Sequence, residues 1–215
     1  EGQCMKRFAL LVAIIGGFFA SQANAQISLS RHNFSSYGWS RGEICLPCHT
    51  PHNANAEVGF LWNHALTTAT YQMHEGEGSA VEDIDSRSRM CMSCHDGTVA
   101  LDSFGGTIGT NFVGPRGNIG TDLTNDHPIG RDAIYPDAGR PGSLQPSSPS
   151  STPGRGRTVG TSPNRVSLRL FDDNGTIVNV VGCSTCHTVH NTGNYPHMLR
   201  FSNSSSTLCL TCHIK

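Results

Sequence analysis

Cysteine and histidine recur in this chain as a fixed five-residue pattern. The 215 residues include nine Cys and eleven His. Eight of the cysteines form four C-x-x-C pairs, and a histidine directly follows each pair. The cysteines are Cys45, Cys48, Cys91, Cys94, Cys183, Cys186, Cys209 and Cys212, and the histidines are His49, His95, His187 and His213. On a helical turn, residues three and four apart share a face, so the groups of one motif can reach the same ligand.

This spacing is the attachment signature of c-type haem. The two sulfurs bind the haem covalently, and the histidine that follows binds its iron as the proximal ligand. Paired cysteines in a secreted chain also occur as disulfides, and repeated C-x-x-C as zinc sites. Neither alternative requires a histidine after every pair, so the sequence predicts four covalent haems, each with its iron.

Each haem iron needs a second axial ligand, and histidine is the residue available for it. The methionines are poor candidates because Met90 and Met92 flank or lie inside a motif and Met198 abuts His197. We therefore expect bis-histidine ligation, which leaves no open iron for a substrate and predicts an electron carrier rather than an enzyme. The five candidates for four places are His32, His52, His64, His127 and His190, while His74 and His197 read as surface residues.

An internal duplication divides the chain into two di-haem modules. Residues 45–53 match residues 183–191, and each copy precedes a second, plainer motif. In both copies a histidine stands three residues after the proximal one, at His52 and His190. Such a histidine cannot easily reach the far side of its own haem, so we expect it to bind a different one. The predicted modules are residues 26–113 and 166–215, joined by a Gly/Pro/Ser-rich connecting loop at 114–165.

The composition agrees with an interior filled by cofactor. Only 36% of the residues are hydrophobic and 14% charged, against about 45–50% and 25% in average soluble domains. We expect a multihaem cytochrome c fold that is mostly coil, with little regular secondary structure and short helices at the haem motifs. A β-hairpin is predicted near residues 166–181, with strands at 166–171 and 176–181. Residues 138–164 are rich in Pro, Gly and Ser and are expected to form an exposed loop without a core.

Charge and targeting signals narrow the possible partners. The formal net charge of −1 leaves no basic field for nucleic acid. Residues 1–25 read as a leader and secretory signal peptide, with Lys6 and Arg7 before an apolar run and Ala23-Asn24-Ala25 as the cleavage site. We therefore expect secretion, with no membrane span after cleavage. Residues 26–215 contain twelve Arg and one Lys, and guanidinium groups suit the carboxylates of haem propionates.

Several motifs together resemble a known family. They are Cys-His-Thr-Pro-His-Asn at 48–53, Leu-Trp-Asn-His at 61–64, Cys-His-Asp-Gly-Thr-Val-Ala at 94–100, Asn-Asp-His-Pro-Ile-Gly at 125–130 and Leu-Cys-Leu-Thr-Cys-His at 208–213. The chain is similar to secreted tetrahaem c-type cytochromes with doubled C-x-x-C-H motifs, and in length and motif order to the subunits of extracellular cytochrome filaments, or nanowires.

The resemblance implies a homopolymer in which one histidine of each subunit, by position His52, ligates a haem iron of the next. It also implies redox donor and acceptor proteins, or extracellular acceptors, as partners. The alternative is a monomeric periplasmic tetrahaem shuttle, and a multihaem redox enzyme is a weaker one. Ligand counting does not separate filament from shuttle, because a subunit that donates one histidine also receives one.

Overall fold

The architecture is dominated by coil and turns. The computed structural model describes residues 26–74, 76–77, 83–136, 139, 141–149, 157–160, 168–173 and 177–215, so the predicted signal peptide lies outside the described residues. The described α-helices are α1 (Ser86–His95), α2 (Cys183–Cys186) and α3 (Thr207–Cys212). Short 3-10 turns lie at Ile27–Leu29, Gly38–Ser40, Gly130–Ala133, Pro196–Met198 and Ser204–Ser206. The expectation of little regular secondary structure is confirmed.

Three of the four cysteine motifs lie on helices, as predicted. The first motif forms a single helical turn instead, closed by a 2.8 Å hydrogen bond from the His49 amide to the Cys45 carbonyl. The next amide, that of Thr50, donates to the Leu61 carbonyl at 2.9 Å, and in the third motif the Thr188 amide likewise donates to the Met198 carbonyl at 2.8 Å. The first and third motifs are therefore each closed by one helical turn and then paired with a distant segment.

The described residues include seven short strands, which form three small antiparallel sheets. They are β1 (Gln72–Met73), β2 (Gly76–Glu77), β3 (Ser147–Pro149), β4 (Arg157–Val159), β5 (Leu168–Arg169), β6 (Phe171–Asp173) and β7 (Ile177–Val180). Strand β1 pairs with β2, β4 lies between β3 and β5, and β6 pairs with β7.

The predicted hairpin is present, but its first strand differs from the expectation. Strands β6 and β7 pair with Phe171 opposite Val180, which confirms a hairpin leading into the third motif. The single strand expected at 166–171 is instead divided, because Leu168 and Arg169 pair with β4 in another sheet. Leu168 and Leu170 are both buried, at 1% and 0% exposure, so each side of this break buries a leucine.

The Pro/Gly/Ser-rich segment was expected to be an exposed loop without a core, and this expectation is wrong for its described part. Strands β3 and β4 pair across it, and Val159 is fully buried against Tyr135 and Leu170. The Arg157 side chain also donates to the Ser147 hydroxyl at 2.8 Å. Although this segment has a low average hydrophobicity, a single buried valine on a paired strand is enough to build a local core. Residues 150–156 and 161–167 lie outside the described part.

Buried apolar side chains form three small clusters rather than one large core. The largest contains Tyr71, Met73, Ile84, Met92 and Leu123, the second Tyr135, Val159 and Leu170, and the third Phe171 and Val180. Within the described ranges, no helix has the length and apolar character needed to cross a bilayer. Side chains alone therefore fill only scattered parts of the interior.

Candidate haem-binding sites

Several hydrogen bonds hold the first motif against residues 59–63. His49 donates from Nδ1 to the Phe60 carbonyl at 2.8 Å. The Thr50 amide donates to the Leu61 carbonyl at 2.9 Å, and the Asn63 amide to the Cys48 carbonyl at 3.0 Å. Phe60 and Leu61 both have positive φ, at 58° and 54°. This unusual backbone directs two successive carbonyls at the motif.

The third motif repeats this arrangement with residues 196–200. His187 donates from Nδ1 to the His197 carbonyl at 2.9 Å. The Thr188 amide donates to the Met198 carbonyl and the Arg200 amide to the Cys186 carbonyl, both at 2.8 Å. His197 and Met198 again have positive φ, at 56° and 55°. The duplication seen in residues 45–53 and 183–191 thus includes a second segment that the sequence match did not reveal.

Proximal histidines are oriented by backbone carbonyls in three motifs. In addition to His49 and His187, His95 donates from Nδ1 to the Gly117 carbonyl at 2.6 Å. A bond at Nδ1 fixes the ring orientation and leaves Nε2 free to bind a metal. These partners could not be predicted from the sequence. Every residue has a backbone carbonyl, so the residue type does not indicate which one accepts the hydrogen bond.

Three of the predicted distal histidines lie close to the histidine of a motif. Each ligating nitrogen binds its metal at about 2 Å, so two imidazoles on opposite sides of one metal have ring centres about 6 Å apart. The observed centroid separations are 5.9 Å for His32 and His95, 6.2 Å for His190 and His49, and 6.3 Å for His127 and His213. Both ring planes contain the ligation axis, so any angle between them is compatible with shared ligation. The geometry fits a metal between the rings of each pair.

His32 is kept neutral by its surroundings. Burial, together with charge repulsion from the nearby His95 and His187, lowers the pKa of His32 to about 4. A histidine must be neutral to bind a metal, so a low pKa favours ligation at neutral pH. His32 is therefore placed near two proximal histidines, with its ring contact made to His95.

His64 has a different environment from the other candidates. It is buried, with 3% exposure, and its Nδ1 and Nε2 lie 2.8 and 2.9 Å from the carbonyls of Ala65 and Ala100. Its Nε2 is also 3.6 Å from the Cys94 sulfur. The structure does not place it opposite any proximal histidine of the described chain. The neighbouring apolar residues Leu61 and Trp62 predict that the His64 side chain is buried. They do not indicate which groups its ring contacts.

Two predicted iron ligands remain to be placed: His52, a distal candidate, and His187, a proximal one. His52 is exposed, and its backbone amide and carbonyl bond to the Thr50 hydroxyl. Within the described residues, neither the His52 ring nor the His187 ring is in contact with another imidazole, in contrast to the three pairs above. The first module thus contains a candidate distal ring, and the second a proximal ring, that lack an imidazole partner within the described residues.

The thiols of neighbouring motifs lie close together. Burial raises the pKa of Cys48 to about 11 and that of Cys94 to about 12, and Cys48 adds to the rise at Cys94. Cys91 hydrogen-bonds to Cys183, which raises the pKa of the Cys91 thiol. Cys209 contributes to the raised pKa of Cys186. Consecutive motifs are therefore spatial neighbours, in the order in which they occur in the chain.

The cysteines do not form disulfides or a zinc cluster in the described part of the chain. All eight motif cysteines are free thiols. No group of three or more Cys, His, Asp or Glu side chains among the described residues converges as a metal site. The histidine that directly follows every cysteine pair remains the reason to prefer haem to zinc or a disulfide.

A polar network joins helix α1 of the first module to helix α2 of the second. Asp85 caps α1 by accepting from the Arg87 and Ser88 amides, each at 3.1 Å. The Ser88 hydroxyl donates to Asp85 and accepts from the Cys183 amide at 3.0 Å. Because this bond starts at the first cysteine of the third motif, it fixes the second and third motifs relative to each other.

A buried indole near the first motif is consistent with a bound cofactor that carries carboxylates. Trp62 is 9% exposed, and its Nε1 has no hydrogen-bond partner among the described residues. Its ring lies 6.5 Å from the ring of His49. An indole N–H normally finds an acceptor when buried, and a haem propionate would supply one beside the first motif. The residues present thus fit covalently bound haem.

Comparison with known proteins agrees with this chemistry. Residues 176–215 match a family model described as a doubled CXXCH motif. No curated protein matches the chain. The match covers the third and fourth motifs and supports a c-type cytochrome with paired haem-binding motifs. Such a cytochrome holds haem covalently and uses it for electron transfer.

Proposed function

We propose that the chain carries four c-type haems and conducts electrons as the repeating subunit of an extracellular cytochrome filament. A bound haem supplies reversible one-electron chemistry at its iron. The proposed attachment residues are the four cysteine pairs, and the proposed proximal ligands are His49, His95, His187 and His213. The family match covers two of the four motifs. The other two repeat the same five-residue pattern, and the first repeats the hydrogen bonds of the third.

Three distal ligands are assigned within the subunit. They are His190 for the first motif, His32 for the second and His127 for the fourth, on the basis of centroid separations of 6.2, 5.9 and 6.3 Å. His64 is the spare candidate, because both of its ring nitrogens lie within 2.9 Å of a backbone carbonyl and its ring is not paired with a motif histidine in the described chain. Two axial histidines at an iron leave no position for substrate, which favours an electron carrier over an enzyme.

The observation that carries the filament proposal is the mismatch between His187 and His52. Four proximal rings are present, and three distal rings meet proximal ones within the described chain. If His32 served His187 instead of His95, the vacancy would move to another motif and the count would stay the same. A neighbouring subunit could fill that vacancy with its exposed His52, which is the position implied by the resemblance to filament subunits. A monomeric periplasmic shuttle would need a fourth ligand from its own chain.

Mass spectrometry of the secreted protein tests the cofactor part of the proposal. We expect a chain that begins at Gln26 and carries the added mass of four haems, with the absorption spectrum of low-spin, bis-histidine iron in the assembled protein. An unmodified chain mass would contradict the proposal. Two haems, confined to the motifs in residues 176–215, would contradict the tetrahaem count.

Electron microscopy of secreted material tests the polymer. Wild-type protein is expected to form filaments, and His52→Ala is expected to abolish them while leaving four haems attached. His74→Ala is the matched control, because His74 is also an exposed histidine outside the motifs, and its filaments should persist. Filaments that survive His52→Ala would exclude the proposed inter-subunit ligand, and a homogeneous wild-type monomer would support the shuttle.

A further inference from the structure

The two repeated motifs differ in the side chain that supports their helical turn. In the first module, Asn63 donates from Nδ2 to the Leu46 carbonyl at 2.6 Å. In the second, Arg200 donates from Nε to the Ser184 carbonyl, also at 2.6 Å. Leu46 and Ser184 occupy the same place, directly after the first cysteine of their motifs. Asn63 and Arg200 therefore perform the same structural task, and only one of them is charged.

The charge of Arg200 lies in a partly desolvated position. The side chain is half-buried, and its pKa is lowered by burial and then by the nearby Arg169. An arginine remains protonated at neutral pH despite such a shift. Within the described residues, none of the carboxylate ion pairs involves Arg200. No carboxylate side chain among the described residues therefore neutralises its positive charge.

A charge at this place acts on whatever is bound by the third motif. Because Nε is used for the Ser184 carbonyl, the rest of the guanidinium remains near Cys186, whose thiol is close enough to influence the arginine. Adding an electron to an iron centre makes it more negative, and a fixed positive charge in a low-dielectric setting stabilises that state. Asn63 provides no such charge at the first motif.

We infer that Arg200 is a potential-tuning residue, which raises the midpoint potential of the haem held by Cys183 and Cys186 above the value an asparagine at this position would give. The inference rests on the proposed function only in requiring a haem at the third motif. It adds a functional difference between two modules whose backbone hydrogen bonds are otherwise repeated. Arg200 acts through its charge and is a positioning residue for the Ser184 carbonyl, not an iron ligand.

Potentiometric titration of the fully loaded protein, followed by haem absorbance, tests the inference. Arg200→Gln keeps an amide donor for the Ser184 carbonyl and removes the charge, so one fitted midpoint potential should fall. Arg200→Lys keeps the charge, and the same potential should stay close to the wild-type value. Equal shifts in the Gln and Lys variants, or no shift in either, would overturn the inference.

Two further variants keep the test decisive if Arg200→Gln fails to mature. Asn63→Arg adds the charge to the first module and should raise a different midpoint potential, whereas unchanged potentials would overturn the inference. Arg41→Asn removes an exposed arginine that solvent screens, and its potentials should match the wild type. A wild-type mass without haem at the third motif contradicts the proposed function, whereas a fully loaded chain with unshifted variants contradicts only the role of Arg200.

Discussion

His52 and His190 occupy the same position in two copies of one motif, yet their surroundings differ. Both are exposed, and each stands three residues after a proximal histidine. The His190 ring lies 6.2 Å from the ring of His49 in the other module. The His52 ring has no such partner within the described part of the chain. The repeated sequence thus produces the same local backbone and two different outcomes for the same side chain.

The difference shows what a duplicated motif determines and what it leaves to topology. The hydrogen bonds from His49 to Phe60 and from His187 to His197 are local, and both copies form them. The partner of the second histidine depends on which module lies across from it. Within one chain, His190 of the second module can approach the first module. His52 of the first module would need a further module to approach, and the chain contains only two. A second subunit would complete the series.

The largest expected effect comes from removing the paired histidine rather than the unpaired one. In reduced, monomeric protein, His190→Ala should open the iron bound by His49 and add one carbon monoxide equivalent per chain. His52→Ala should bind the same amount as the wild-type monomer, because its ring ligates no iron of its own chain. The uptake is measured by titration followed by absorbance. If His52→Ala bound one carbon monoxide equivalent more than the wild type, His52 would be a ligand within its own chain. The difference between His52 and His190 would then disappear.

A smaller effect is expected at the junction of the two modules. A Cβ at Gly182 would lie 2.2 Å from the Asp85 carboxylate and 2.7 Å from the Ser88 hydroxyl. Gly182→Ala should therefore disturb the α1–α2 network and destabilise the protein by about 1–3 kcal/mol, as for other overpacked sites. Thermal unfolding measures the change.

Gly38→Ala provides the control for this prediction. No atom lies within 4 Å of the position that a Cβ at Gly38 would take, so its stability should stay within about 0.5 kcal/mol of the wild type, as is usual for surface changes. Equal stabilities of the two variants would indicate that the modules are not held together by the Asp85 network.

The smallest expected effect concerns the residue that follows the second motif of each module. After His95, the buried Asp96 accepts hydrogen bonds from the Tyr71 hydroxyl at 2.9 Å and the Thr67 hydroxyl at 2.6 Å. After His213 the chain continues with the exposed Ile214. Tyr71→Phe should cost about 1 kcal/mol of unfolding free energy, measured by denaturant titration. Tyr37→Phe, at an exposed tyrosine, should be nearly neutral, and a similar loss in both variants would argue against a role for the Asp96 network.

Features set by local spacing were predictable from the sequence. The four motifs, the duplication of residues 45–53 and 183–191, the coil-rich fold and the β6–β7 hairpin all follow from patterns within short windows. The supporting segments at 59–63 and 196–200 were not, because their contacts are made by backbone carbonyls and by Asn63 and Arg200, which look unlike each other in the sequence.

The pairing of distal histidines could not be derived from spacing. His32 is closest in sequence to the first motif, but its ring contacts His95 of the second. His64 was a plausible ligand by its apolar flank, and its ring is instead surrounded by carbonyls. Val159 was hidden in a segment of low average hydrophobicity. In each case the outcome depends on which distant segment the chain brings alongside.

High-resolution electron cryo-microscopy of the secreted polymer tests the account most directly. The decisive feature is the distal ligand at the iron whose proximal ligand is His187. The account predicts density for the imidazole of His52 from the neighbouring subunit at that position, repeated at every subunit boundary. A distal ligand supplied there by the same chain, such as His64 or His74, would contradict it.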